Sequence, residues 1–246
     1  MTIKKRIISN FSKAATTYEL AADLQAKVAY DVATRLDQVD PHSVLELGCG
    51  TGLLSQYLPR LFPDANIWVT DVSQSMLSVC QQRLCQHSAI KIACLDAEDM
   101  ILQQSFDLIV SSMMFHWFND VVSSIQKMML HLNRKGKIVF SMLGNNSLLE
   151  WKHISSQLGL PNATPIFPEI EKIKVLLPKF TFEVRSLKKT YANGHAFLKN
   201  LKSLGANTAR YNSKPIKSSE MRALLRYLNQ EVTMSYEVIY AEFQRR

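Results

Sequence analysis

The sequence predicts an α/β fold, a mostly parallel sheet of short strands with helices on both faces. Three observations predict it. Short apolar runs alternate with helical patterns from Ser43 to Leu143. The first run ends in a glycine-rich turn, Gly48-Cys49-Gly50-Thr51-Gly52, that leads into a helical pattern. The second run ends in a carboxylate, Asp71. Strands separated by helices pair in parallel, because the crossover needs a helix and that helix must cover a face of the sheet.

Taken in order, residues from Ile7 to Leu36 read as helix, since Leu20, Leu24, Val28 and Val32 recur as one apolar stripe. Asp40-Pro41 then punctuates the chain. Ser43–Leu47, Asn66–Thr70, Ile90–Cys94 and Phe106–Ser111 read as strands, with helices over Leu53–Leu61, Ser75–Leu84 and Val121–Leu132. Asn133-Arg134-Lys135-Gly136 reads as a turn into a fifth strand, Lys137–Leu143. Residues 144–180 read as loops and short helices, marked by Pro161, Pro165, Pro168 and Pro178. Phe182–Tyr191 alternates as a sixth strand, and Val232–Phe243, rich in β-branched and aromatic residues, reads as a seventh. Between them His195–Leu204 and Ser218–Gln230 read as helices joined through Gly205 and Pro215. That connection is too long for a hairpin turn and is expected to cover something. The expected organisation is a single domain: a helical cap over residues 1–40, a cofactor-binding core over 41–145, and remaining strands with a basic lid insertion over 146–246.

The 246 residues are 47% apolar, enough for one buried core. No run approaches the roughly 20 apolar residues that span a bilayer. Lys4, Lys5 and Arg6 precede no apolar signal core, so a cytosolic, cytoplasmic protein is expected. The four cysteines, Cys49, Cys80, Cys85 and Cys94, form no CxxC pair and no zinc spacing, and are expected as buried thiols with no metal site. Charge is uneven. Residues 1–150 hold 13 Lys and Arg against 14 Asp and Glu, whereas 151–246 hold 16 against 7. A basic C-terminal part predicts an acidic partner.

Gly48, Gly50 and Gly52 make G-x-G-x-G, with Leu53 where a dinucleotide fingerprint wants glycine, and no G-K-[ST] follows. The turn thus brings backbone close to a ligand without being tuned for pyrophosphate. Asp71, ending the second strand, is placed to accept both ribose hydroxyls of a nucleoside. Asp96-Ala97 follows the third strand, within reach of an adenine amino group. All three elements fall at the carboxyl ends of strands, where ligands of such sheets bind.

The set Glu46, Gly48, Gly50, Gly52, Asp71 and Asp96 resembles the class I S-adenosylmethionine-dependent methyltransferases over most of residues 40–145. The flanks narrow the resemblance. Phe11-Ser12-Lys13-Ala14-Ala15 with Tyr18-Glu19 and Leu24-Gln25, Ser111-Ser112 through Trp117-Phe118, Phe197 through Ala206, and Val232-Thr233-Met234-Ser235-Tyr236 are similar to the malonyl-acyl-carrier-protein O-methyltransferase family of biotin synthesis. The family often has Asn where Ser112 stands and Gln where His116 stands. The resemblance implies a Rossmann-like seven-stranded sheet whose last strand is antiparallel, plus a helical lid. It implies S-adenosyl-L-methionine as cofactor, with the glycine loop on its methionine part, Asp71 on the ribose and Asp96 on the adenine. Gln25, Val72, Met76, Ala97 and Ser111 are further expected cofactor positions. The implied partner is an acidic acyl carrier protein bearing a malonyl thioester.

Methyl esterification of a carboxylate needs no general base, since carboxylates are ionised near pH 7. Alignment and exclusion of water matter instead. A strong cation clamp would favour the charged ground state over a transition state from which charge has drained. A neutral hydrogen-bonding or aromatic residue is therefore expected near the reacting oxygen. Tyr18 is the first candidate, with His116 and Trp117 at the mouth of the site. Lys199 and Lys202 on one helical face, and Arg210, are candidates for meeting the carrier or its thioester arm. A small-acid carboxyl methyltransferase and a non-catalytic cofactor-binding protein are the rival readings. A nucleic-acid methyltransferase fits less well, because Ser111-Ser112-Met113-Met114 stands where an Asn-Pro-Pro-Tyr-type motif is wanted.

Overall fold

The computed structural model describes residues 2–100, 102–161, 164–208 and 216–246. Its strands are β1 (Ser43–Leu47), β2 (Asn66–Asp71), β3 (Lys91–Cys94), β4 (Phe106–Ser111), β5 (Leu132–Leu143), β6 (Thr181–Tyr191) and β7 (Val232–Gln244). They form one seven-stranded sheet in the order β3-β2-β1-β4-β5-β7-β6. The pairs among β1 to β5 are parallel. β7 runs antiparallel between β5 and β6. The helices are α1 (Ile3–Ala14), α2 (Asp23–Thr34), α3 (Leu58–Leu61), α4 (Gln74–Arg83), α5 (Val121–Leu130), α6 (Leu149–Gln157), α7 (Ile170–Leu176), α8 (Gly194–Ser203) and α9 (Ser218–Tyr227). Among the described residues, no helix is long and apolar enough to cross a membrane.

Strand parity sorts the core into two halves, because successive side chains leave a strand on opposite faces. Val44, Leu108, Val110, Val139, Val238 and Tyr240 pack on one face with Val28 and Val32 of α2, Leu77 of α4, Trp151 of α6, Phe197 of α8 and Leu224 of α9. Leu45, Leu47, Ile109, Phe140, Ile239 and Ala241 pack on the other with Ile125 and Met128 of α5 and Ile173 of α7. Short polar side chains start several helices. Ser73 accepts the Met76 N–H at 3.3 Å, Asp120 that of Ser123 at 2.9 Å, and Asn193 that of Ala196 at 2.9 Å.

Several sequence expectations need correction. The N-terminal helix is two helices, α1 and α2, parted by a 3-10 turn at Tyr18–Leu20. Thr17 marks the break, its hydroxyl donating to the carbonyls of Ala14 at 3.2 Å and Ser203 at 3.0 Å. Leu20 consequently leaves the stripe and is 89% exposed. The helix expected at Leu53–Leu61 is a 3-10 turn followed by the four residues of α3, because Pro59 lacks the N–H that a longer helix needs. Asn133–Gly136 does not precede β5 but lies within it, as a bulge. Phe106 pairs with Leu132 while Leu108 pairs with Lys137, and Lys135 takes φ 64°. Finally, Cys49 and Cys80 are buried thiols, but Cys85 and Cys94 are exposed.

Gly205 closes α8 against α1. Its φ is +70°, and a Cβ there would stand 2.8 Å from the Asn10 carbonyl oxygen and 2.8 Å from Phe11 Cα. Gly205→Ala should therefore destabilise the fold by roughly 1–3 kcal/mol, read as a lower urea midpoint and earlier proteolysis of α1.

Candidate active site

The carboxyl ends of β1, β2 and β4 open into a cleft of about 1060 Å³, counting its mouth. The glycine turn forms its floor, and left-handed backbone shapes that turn: φ is 66° at Gly48 and 55° at Gly50. Gly48 also leaves room, since a Cβ there would overlap Met114 Sδ at 2.3 Å. Asp71 anchors the turn. Its carboxylate accepts the Gly50 N–H at 2.9 Å on one oxygen and the Ser73 N–H at 2.8 Å on the other. Burial pushes the Asp71 pKa up, and these N–H bonds work against the shift. Glu46, at the end of β1, is 1% exposed, and its Oε2 is buried without a hydrogen-bond partner. Burial, with the nearby Cys80 and Asp71, holds the Glu46 carboxyl well above the usual carboxylate range.

The N-terminal helix covers the cleft. Lys4, Ile7, Ile8 and Phe11 of α1 line it, as do Tyr18 and Gln25. Lys4 reaches across to Asp96 at 2.6 Å, Asp99 at 3.0 Å and Glu98 at 3.1 Å. Burial opposes its charge, but these three carboxylates raise its pKa overall. Ser12 and Ser73 hydroxyls meet at 2.8 Å, and Arg83 pairs with Glu19. Three polar clasps thus hold α1 and the following turn over the cleft.

A second chamber of about 700 Å³ adjoins the first. Phe11, Tyr18, Gln25, Met113 and Trp117 line both. Phe11 packs edge-on to Trp117 with ring centres 5.2 Å apart. The Gln25 Oε1 is buried without a partner at this junction. Met113 takes φ 57°, a strained conformation for a side chain of its size, held by N–H bonds to the Ser141 carbonyl at 3.0 Å and hydroxyl at 3.1 Å. Burial, and then the charge of Asp71, raise the Tyr18 pKa, so its hydroxyl stays protonated.

The expected residues divide as follows. Gln25, Glu46, Gly48, Gly50, Asp71, Val72, Met76, Asp96 and Ala97 all line the cleft. Gly52 does not; its φ is +88°, and a Cβ there would meet Cys80 Sγ of α4 at 2.9 Å, so it lets the turn pack on that helix. Ser111 does not either. It is fully buried, and its hydroxyl donates to the Leu47 carbonyl at 2.8 Å, tying β4 to β1; the next residue, Ser112, lines the cleft instead. His116 lines only the second chamber, where its Nδ1 accepts the Leu143 N–H at 3.3 Å. Lys199 and Lys202 are exposed on α8 and line neither space. Arg210 lies outside the described residues. Sequence reasoning missed Lys4, and in the second chamber Lys189 and Tyr191; Asn200 stood in the segment from Phe197 to Ala206 without being singled out. Tyr236 stood in the quoted C-terminal segment, but nothing there indicated that its side chain reaches the chamber.

A methyltransferase domain family matches residues 45–140, from β1 into β5. A malonyl-[acyl-carrier protein] O-methyltransferase of Magnetococcus marinus is 30% identical over 98% of this chain and 92% of its own length. The chain belongs to that family. A second member, from Priestia megaterium, is 28% identical over 92% of this chain and 89% of its own. Among solved structures, a protein of Bacillus halodurans matches with a TM-score of 0.65 at 11% identity, over 89% of this chain and 99% of that one, a likeness of fold. The family is S-adenosylmethionine-dependent, and the enzyme is a methyltransferase that uses this cofactor. The cleft fits such a ligand on its own observations: a left-handed glycine turn with no Cβ to block approach, an orphaned carboxylate oxygen on Glu46, and a second carboxylate at the end of β2.

Because Asp71 both lines the cleft and fastens the glycine turn, Asp71→Ala should weaken cofactor binding at least about tenfold, the loss of one charge-assisted hydrogen bond. Isothermal calorimetry measures it, and an unchanged affinity would remove Asp71 from the ligand.

Proposed function

We propose that this enzyme methylates the free carboxylate of a malonyl thioester carried by an acyl carrier protein, or by coenzyme A, giving the methyl ester that primes pimeloyl and biotin synthesis. The second chamber supports this reading above all. It adjoins the cofactor cleft, it is lined mainly by apolar and neutral polar groups, and the one ammonium among its described residues, Lys189, is already paired with Asp23. The carrier reading draws also on the basic C-terminal part and on the names of the full-length relatives.

Gly48, Gly50, Glu46 and Gln25 would hold the methionine part of the cofactor, Asp71 the ribose, and Val72, Met76, Asp96 and Ala97 the adenosine. Asp96 shares its charge with Lys4, so the adenine and α1 bear on the same carboxylate. Bound there, the cofactor supplies an electrophilic methyl group, and a carboxylate that accepts it becomes a neutral ester. The residues at the junction serve that chemistry by position. Tyr18 and Trp117 narrow the passage between the two spaces and keep water from it, while Phe11 braces Trp117. Such alignment of reactants supplies about 7–11 kcal/mol in favourable cases. His116, held through its Nδ1, shapes the substrate side of the junction. Among the described residues, the cations that line the two spaces, Lys4 and Lys189, are both paired with carboxylates, which suits a charge-neutralising reaction.

Lys199 and Lys202 project from α8 with no ion pair among the described residues. They offer charge to an acidic carrier docking over the lid, which chiefly speeds association.

With labelled cofactor, the enzyme should label malonyl-carrier protein and leave acetyl-carrier protein unlabelled. Its KM for the carrier should rise as salt shortens the Debye length below about 10 Å. Absence of label on the malonyl form sinks the substrate assignment, and labelling of free small diacids in preference to the carrier would favour a small-acid enzyme. Tyr18→Phe should lower kcat with cofactor affinity unchanged; a normal kcat would take Tyr18 out of the reacting centre.

A further inference from the structure

Two tyrosines from neighbouring strands meet inside the second chamber. Tyr191, at the end of β6, is 6% exposed and Tyr236, in β7, is 5% exposed. Their hydroxyl oxygens stand 2.7 Å apart. A phenol has one proton to donate, so one hydroxyl donates to the other and the pair keeps one proton to give elsewhere. Tyr191 has a second contact, Asn200 Oδ1, at 3.4 Å, near the limit of a hydrogen bond. Tyr236 has no other hydrogen-bond partner among the described residues. The pair therefore has a weak resting arrangement, with its spare proton on the distant Asn200 oxygen, and an alternative in which Tyr191 donates to Tyr236 and Tyr236 donates into the chamber.

Among the described residues, the pair's immediate contacts supply no free cation to compete with it for an acceptor. Lys189 lies over the Tyr191 ring, 5.4 Å from its centre, but its ammonium is bound to Asp23 and to the Ala21 carbonyl at 3.2 Å. Phe197 packs edge-on to Tyr191 at 5.3 Å, and Asn200 is tied back to the same Ala21 carbonyl at 3.1 Å. Burial raises both phenol pKa values: that of Tyr191 to about 12, against the Tyr236 hydrogen bond, which lowers it, and with Asp23, which raises it; and that of Tyr236 further, with Tyr191, Asp23 and Glu150 adding to the rise, so both protons are present at neutral pH.

We infer that the Tyr191–Tyr236 hydroxyl pair is the element that recognises the substrate carboxylate, with Tyr236 donating to the oxygen that does not accept the methyl group. This rests on the chamber's taking an acyl carboxylate, as proposed above. A neutral donor of this kind suits the reaction. A hydrogen bond to a carboxylate is charge-assisted and one to an ester carbonyl is not, so the pair holds the acid more tightly than the methyl ester that replaces it. The same contact that admits substrate thus releases product.

Calorimetry on the enzyme loaded with S-adenosylhomocysteine, titrated with malonyl-carrier protein and separately with its methyl ester, tests this. Wild type should bind the acid at least about tenfold tighter than the ester. Tyr236→Phe should bring the two affinities within about threefold while S-adenosylhomocysteine binding stays unchanged. A general loosening of the chamber would weaken acid and ester alike and leave their ratio intact. Tyr191→Phe, which removes the hydroxyl that aligns Tyr236, should lower the ratio in part, and it provides the measurement if Tyr236→Phe does not fold. A ratio retained in the variants, or no preference for the acid in wild type, overturns the inference. If wild type also labels malonyl-carrier protein, the proposed function stands without it; if wild type labels no malonyl form, both fall.

Discussion

The Asp71 carboxylate is the contact on which the rest of the site depends. One oxygen takes the Gly50 N–H and the other the Ser73 N–H, so a single side chain joins the end of β2 to the glycine turn after β1 and to the start of α4. The Cys49 N–H adds a bond to the Thr70 carbonyl at 2.9 Å beside it. Ser73 passes the constraint on, capping α4 with the same hydroxyl that meets Ser12 of α1. Cleft floor, first crossover helix and N-terminal cover are therefore fixed relative to one acid. Charge-assisted hydrogen bonds suit this task because they are short and directional.

The parts of the molecule built from local rules were legible in the sequence. Alternation of apolar runs and helices gave the parallel half of the sheet, and the glycines with Asp71 located the cleft. The failures came where distant residues decide. Nothing near Lys4 announces that it will meet Asp96, Glu98 and Asp99, which are separated from it by most of the cofactor core. Ser111 and Ser112 are indistinguishable by type, and only the pleat of β4 sends one to the Leu47 carbonyl and the other to the cleft. Gly52 belongs to the motif by spacing, yet its freedom serves packing on Cys80. The second chamber was least legible, because it is assembled from α1, α2, the β4 and β5 ends, α8, β6 and β7.

Chemistry and charge are segregated by distance. Ionised groups of both cavities are held, among the described residues, in pairs or against backbone N–H groups, as at Lys4 with Asp96, Lys189 with Asp23, and Asp71 with Gly50. Lys199 and Lys202, with no ion pair among the described residues, are exposed on α8. Charge inside the molecule is thereby neutralised locally, while the free charge of α8 is turned to the outside.

The position of β7 bears on the order in which the enzyme is completed. Among the described residues β6 pairs with no strand but β7, and β7 is its bridge to β5. A ribosome makes β6 well before β7, so β6 and the segments around it have no sheet to join until the later strand arrives. The first five strands, with the glycine turn and Asp71, have their pairings already. A growing chain can thus assemble a cofactor cleft while still lacking Tyr236 and the wall that Tyr191 shares with it. The long-range closure that finishes the sheet is the slow kind, and it is the same event that completes the second chamber.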